Sequence, residues 1–186
     1  MMRIADLEFN VASCRLEAYC HDDKMQWDIQ IECNSHVTGP FHGHEPTLSL
    51  SLFQTPIGAF SHWSDLAPRD ARWSDKNDTD VTPSGMLYIF EHTPIFRCKA
   101  QLVKECGIMR IIVEGKCDVY YDEKYDTDLD LRLDSTVVFH GVWFGRWPES
   151  DCRSAISVFL DPIDFDYSLT EDGVSILTPK GGITKR

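Results

Sequence analysis

The feature that most constrains this chain is alternation with a period of two. Met25, Trp27, Ile29, Ile31 and Cys33 alternate with Gln26, Asp28, Gln30 and Glu32. Successive side chains of a β-strand point to opposite faces, so this pattern is that of a strand with one face buried and one wet. The same pattern recurs at Leu48, Leu50 and Leu52 against Ser49 and Ser51, and at Leu129, Leu131 and Leu133 against Asp128, Asp130, Arg132 and Asp134. Further strands are expected over Ile4–Phe9, Arg15–Cys20, Met86–Phe90, Phe96–Lys104, Ile108–Glu114, Cys117–Tyr121, Val137–Phe144 and Ala155–Leu160. His21-Asp22-Asp23-Lys24 reads as a hairpin turn, and Cys106-Gly107 and Glu114-Gly115-Lys116 punctuate a meander. Apolar residues at helical spacing are scarce, and the best short turn is Ser64–Ala71, with Ser64 or Asp65 as cap.

Strands about ten residues apart, with turn signals between them, predict an all-β fold: an antiparallel β-sandwich or flattened barrel with long irregular loops and at most a short helix. The chain has 186 residues, enough for one such domain over 1–178, followed by a flexible tail over 179–186. Two segments lack periodicity: Asn34–Thr47 and Thr55–Ser84. Irregular connections of that length are uncommon in compact domains unless they do a job.

Charge separates the two halves of the chain. Residues 1–117 carry 16 acids and 11 bases, residues 118–179 carry 14 acids and 4 bases, and the whole sums to −12. Such a field repels nucleic acid and anionic membranes and attracts basic proteins. Asp6 and Glu8 interrupt the stretch where a signal peptide needs apolar residues, no apolar run is long enough to span a bilayer, and seven cysteines form no C-x-x-C pair. A cytoplasmic protein with reduced thiols is therefore expected.

The acids concentrate where the leucines alternate. With Leu129, Leu131 and Leu133 turned inward, Asp126, Asp128, Asp130 and Asp134 are expected to project from one strand face, with Asp122 and Glu123 in the preceding turn. Asp126-x-Asp128-x-Asp130 opens like a calcium loop, but Leu131 stands where the glycine belongs and Val137 where the bidentate glutamate belongs. Tryptophan and arginine dominate interface hot spots, which singles out Trp143, Arg146 and Trp147, together with Trp63 and Trp73 in the long irregular segment.

Catalytic signals are weak: there is no G-x-S-x-G elbow and no glycine-rich phosphate loop. His36, His42 and His44 lie close together. The H-x-H pair resembles the opening of the first cupin motif, yet the acid that should follow is missing from Pro46-Thr47-Leu48-Ser49. A metal-dependent β-barrel enzyme or metal sensor using His42 and His44 with His92 and His140 is one alternative. A carbohydrate-binding module stacking sugars on Trp63, Trp73 or Trp147 is another. The leading expectation is a non-catalytic interaction protein with no cofactor, which docks a basic macromolecule through the acidic face and aromatic loops. In composition it is similar to bacterial immunity proteins, which implies a nuclease-like toxin as the partner and occlusion as the mechanism.

Overall fold

The computed structural model of the chain describes residues 1–34, 41, 43–59, 61–76 and 82–180. Two sheets pack face to face, with no closed barrel. The smaller has six strands in the order β2 (Leu7–Phe9), β1 (Met2–Ile4), β11 (Leu129–Thr136), β10 (Ile108–Cys117), β9 (Phe96–Glu105) and β6 (Arg69–Trp73). The larger has eight: β13 (Phe165–Leu169), β14 (Ser175–Pro179), β12 (Val138–Phe144), β3 (Val11–His21), β4 (Lys24–Cys33), β5 (Thr47–Pro56), β7 (Ser84–Tyr88) and β8 (His92–Pro94). The all-β sandwich read from the sequence is the fold.

Alternation does the building. Leu16, Ala18, Ile29, Ile31, Leu48 and Leu50 point inward from the large sheet, and Ile111, Val113, Leu131 and Leu133 point inward from the small one, all fully or almost fully buried. Each leucine, isoleucine or valine among them contributes roughly 2 kcal/mol through the apolar area it removes from water. An aromatic group fills the middle: Trp27 lies 6.4 Å from Phe139 and from Phe159, and Trp63 stacks on Phe139 at 5.3 Å. The indole N–H of Trp27 donates to the Thr55 hydroxyl at 3.0 Å, so its one polar atom is satisfied inside the core.

Several elements differ from expectation for identifiable reasons. Residues 155–160 do not form a strand. Helix α1 (Glu149–Ile156) ends within that stretch and a turn over 157–159 follows; the helix is started by Pro148, supported by a 2.7 Å Glu149–Arg153 pair one turn apart, and buried through Cys152 and Ile156. The expected helical turn at Ser64–Ala71 is a 3-10 turn over Trp63–Leu66, capped by the His62 ring and Asp65, and Arg69 already belongs to β6. Gly115 does not end a strand either: β10 runs through it with a register shift between Glu114 and Lys116, because a Cβ there would sit 3.1 Å from that of Cys98. The strand expected over Ile4–Phe9 is instead the β1–β2 hairpin, which turns at Ala5 with φ of 51°.

One pairing is parallel. β12 lies beside β3 in the same direction, while the other sheet neighbours are antiparallel. Parallel neighbours need a long crossover, and here it runs from β3 to β12 through most of the chain. All seven cysteines are free and only Cys106 is exposed; burial pushes the thiols of Cys14, Cys98 and Cys117 up to about 12. Among the described residues no helix is long and apolar enough to cross a membrane.

Candidate functional site

The aspartates expected on one strand divide between two places. Asp130 and Asp134 project from β11 as the alternation requires, but Asp126 and Asp128 lie in the connection that precedes it, together with Asp122 and Glu123, which were expected there. The two on the strand are neutralised: Lys116 pairs with Asp130 at 2.9 Å and Arg110 with Asp134 at 2.5 Å. Asp128, with φ of 56°, meets Arg97 at 3.4 Å. One register row crosses all six strands of this sheet as Glu8, Arg3, Arg132, Glu114, Lys99 and Arg72, four bases and two acids. The face is a mosaic of both signs and does not carry the negative field expected of it.

The negative field moves to the end of the sandwich, where residues 118–128 return the chain from β10 to β11. Asp118 anchors this loop and is only 1% exposed. Its carboxylate pairs with the Lys76 ammonium and accepts from the Tyr120 hydroxyl at 3.0 Å and the Asp128 N–H at 2.9 Å. Burial alone pushes this acid upward, but these three donors outweigh it and hold Asp118 below the usual carboxylate range. The Asp118 carbonyl accepts from the buried Thr93 hydroxyl at 2.7 Å, which ties the loop to β8.

The rest of the loop is braced internally. Val119 N–H donates to the Asp126 carbonyl at 2.9 Å and Tyr121 N–H to the Tyr125 carbonyl at 3.0 Å. Asp122 Oδ1 accepts from the N–H groups of Lys124 and Tyr125, at 2.9 and 3.0 Å, and closes the turn at its tip. Tyr125 is buried, and its hydroxyl donates to Asp6 at 3.0 Å. Lys124 reaches the same carboxylate at 2.7 Å.

Aromatic rings pin this loop to its neighbours. Phe41, fully buried, lies 5.3 Å from Tyr125, 5.6 Å from Tyr121 and 5.6 Å from Phe90. Phe90 stacks on Tyr121 at 4.9 Å and meets His44 at 4.4 Å. What remains on top is exposed and polar at its rim: Tyr120 is 52% exposed, Tyr121 45% and nearby Tyr88 40%. Asp122, Glu123 and Asp126 of the same loop, and Glu91 next to Phe90, are exposed and without an ion pair among the described residues. Tyr120 holds φ of 53°, a left-handed conformation that costs a bulky residue energy and persists only where the surroundings impose it.

The tryptophans singled out from the sequence are elsewhere. Trp63 and Trp73 are core residues: Trp63 stacks on Phe139, and Trp73 donates to the Ile95 carbonyl at 2.7 Å. Neither offers a ring to a sugar or a protein partner. Trp143, half-buried, stacks on Tyr19 at 6.0 Å, and Trp147 packs on Phe144 at 5.4 Å, with Arg146 exposed between them. These three lie toward the β3–β4 hairpin, whereas the acidic loop packs on Phe41 beyond the other end of β4. Trp143 pairs through Tyr19 with Gln26, seven residues from Cys33, which is about 23 Å of strand. The acids and these tryptophans therefore do not form one surface.

The histidines are likewise dispersed. His36 and His42 lie outside the described residues. His44 touches the Phe90 ring, His92 the Tyr88 ring at 4.8 Å, and His140 faces Glu17 at 3.4 Å. Among the described residues no three His, Cys, Asp or Glu side chains come together to hold a metal.

Tyr88, Tyr120 and Tyr121 escaped the sequence reading, which ranked tryptophans first. The adjacent pair Tyr120-Tyr121, running straight into Asp122-Glu123, was the available signal. Comparison with models of known families, with curated proteins and with solved structures finds no match for this chain.

Proposed function

We propose that this protein is a non-catalytic binding module, and that the loop end bearing Tyr88, Tyr120 and Tyr121 among Glu91, Asp122, Glu123 and Asp126 recognises a basic protein. The observation that carries this reading is the combination of exposed rings on a braced loop with exposed carboxylates that have no ion pair among the described residues. Tyrosine supplies large contact area for the loss of two side-chain torsions, and a rigid loop has little further order to lose on binding. Carboxylates at the rim steer a basic partner and speed encounter. An inhibitor of a toxic enzyme, working by occlusion of a phosphate-binding surface in a reducing cytoplasm, is the form of this function that the chain's −12 charge and free thiols favour.

The test is comparative capture. Wild type and a variant carrying Tyr120→Ala, Tyr121→Ala, Glu123→Gln and Asp126→Asn are used as bait, and proteins held only by wild type are identified. Association of such a protein with wild type should slow steeply as salt is raised. A captured partner whose on-rate ignores ionic strength, or which binds the variant equally well, defeats the proposal.

A further inference from the structure

The outer face of the eight-stranded sheet holds a second constellation. Glu17 points away from the core, in line with Arg15 and Tyr19, yet is only 6% exposed. Neighbours on its own level cover it. The Tyr19 hydroxyl donates to Glu17 Oε2 at 2.8 Å, His140 Nδ1 stands 3.4 Å from Oε1, and Arg15 Nε lies 3.9 Å away. Directly opposite on β4 is Asp28, which accepts from the Gln26 amide with both oxygens at 3.1 Å. Burial, with Glu17 adding to it, pushes Asp28 up to about 6.

Like charges facing each other across two strands weaken a sheet, and nothing in the fold requires them here. The strand beside them is also irregular. The pairing of β12 with β3 skips His140, and this bulge turns the imidazole toward Glu17. Gly141 makes the bulge possible: its φ is 148°, and a Cβ there would sit 2.5 Å from the Leu177 carbonyl oxygen.

Next to the carboxylates, Tyr19 and Trp143 are cross-strand partners whose ring planes lie within 18° of each other. The indole N–H of Trp143 is buried and has no acceptor among the described residues. Amides and hydroxyls continue the surface: Gln26, Gln30, Ser49 and Ser51 are half-buried, and Gln54 is exposed. The outward residues of the small sheet, such as Glu114, Arg132 and Asp134, stand in open solvent instead.

We propose that this patch, centred on Glu17, Asp28, Tyr19 and Trp143, is a binding site for a neutral oligosaccharide. A pyranose ring has an apolar C–H face suited to two near-parallel aromatic rings, and vicinal hydroxyls suited to the half-buried Asp28 carboxylate and the amides beside it, while Glu17, covered beneath, holds the Tyr19 hydroxyl. Arg15 pairs with Glu32 at 2.6 Å, which leaves Glu17 and Asp28 as the surplus acids of the patch, and their charge disfavours uronates and sulfated sugars and restricts the class to uncharged chains. The polar row across β3, β4 and β5 extends the surface beyond a single sugar unit. This site lies on a different face from the loop end, and the two readings stand or fall separately.

The experiment titrates the full chain with short malto-, cello-, xylo-, manno- and chito-oligosaccharides, read by calorimetry and tryptophan fluorescence, with polygalacturonate as the anionic control. At least one neutral member should bind with a sub-millimolar Kd. Tyr19→Ala and Gln54→Ala should each weaken it, the former by about tenfold or more, and Asp126→Asn at the loop end should leave it unchanged. Gln54 is exposed, so its variant keeps the test open even if Tyr19→Ala fails to fold. The proposal is overturned if no neutral member binds at millimolar concentration, if binding survives both substitutions, or if polygalacturonate binds equally well.

Discussion

Glu17 on β3 and Asp28 on β4 are register partners, so two carboxylates meet across neighbouring strands with Cβ atoms about 5 Å apart. One is almost wholly buried, and the other is pushed up to about 6, chiefly by burial. Their partners are divided between them: the Tyr19 hydroxyl, His140 and Arg15 serve Glu17, while Gln26 serves Asp28. The arrangement makes stability depend on pH in the direction opposite to ordinary acid denaturation.

Asp28 has a higher pKa folded than unfolded, so the folded state holds the proton more tightly. Stability should rise as pH falls from 7 through 6 towards 5, and the destabilising effect should be complete above that window. Urea denaturation of wild type should show a gain of about 1.4 kcal/mol between pH 7.5 and 5. Asp28→Asn should be more stable than wild type at pH 7.5 and should lose that slope. A variant less stable than wild type at both pH values contradicts this account of Asp28.

Asp118 has the opposite sign. Its pKa is depressed, so its contribution is present at neutral pH and is lost as pH falls through the low carboxylate range. Asp118→Ala removes the acceptor of Lys76, Tyr120 and the Asp128 N–H together, and should cost on the order of 3 kcal/mol. Hydrogen exchange should show residues 119–128 losing protection while β3 and β4 keep theirs. Uniform loss across the chain would mean that Asp118 is not a local anchor.

Gly141→Ala should be among the most damaging single substitutions. The new methyl meets the backbone of β14, and a strand carbonyl has no room to retreat. A loss above about 2 kcal/mol is expected, with β13 and β14 becoming the first strands to exchange amide hydrogens. A near-neutral melting temperature would show that this part of the sheet gives more readily than its packing implies.

Thiol titration offers a rapid check of the whole arrangement. Native protein should react at one cysteine, Cys106, and denatured protein at seven. More than one fast-reacting thiol in the native state would place a strand wrongly.

For the loop end, Tyr121→Ala should lower affinity for a captured partner by about tenfold or more while leaving the fold intact. Tyr121 stacks on Phe90, so thermal denaturation must accompany the binding assay. Equal binding by wild type and variant counts against this ring as an anchor.

The strands carried by strict alternation, β4, β5, β9 and β11, were readable because one face of each is buried and side-chain period reports burial directly. Register across the β3–β4 hairpin was readable too. With His21 against Lys24, counting back places Glu17 against Asp28, although the significance of that pair emerges only once Glu17 is seen to be covered. What escaped depends on contacts between distant segments. Asp126 and Asp128 continue the alternating pattern of β11, but the Asp128 N–H is claimed by Asp118 and the Asp126 carbonyl by Val119, so the strand begins at Leu129. Trp63 and Trp73 sit in a segment that looks like an exposed loop, and only the sheets they pack between reveal them as core. Residues 155–160 carry apolar spacing compatible with a strand, but Pro148 with the Glu149–Arg153 pair sets a helix that runs to Ile156, and the chain turns beyond it.

The parallel seam between β3 and β12 has a consequence for synthesis. β1 waits for β11 and β3 waits for β12, so each sheet remains an open ribbon until well over half of the chain has left the ribosome. The edge of β3 that β12 will cover carries unpaired amides throughout that interval, ready to zip onto any other extended chain. Pairings of such long sequence separation are expected to make maturation slow, because the closure of the chain must precede the contacts that reward it.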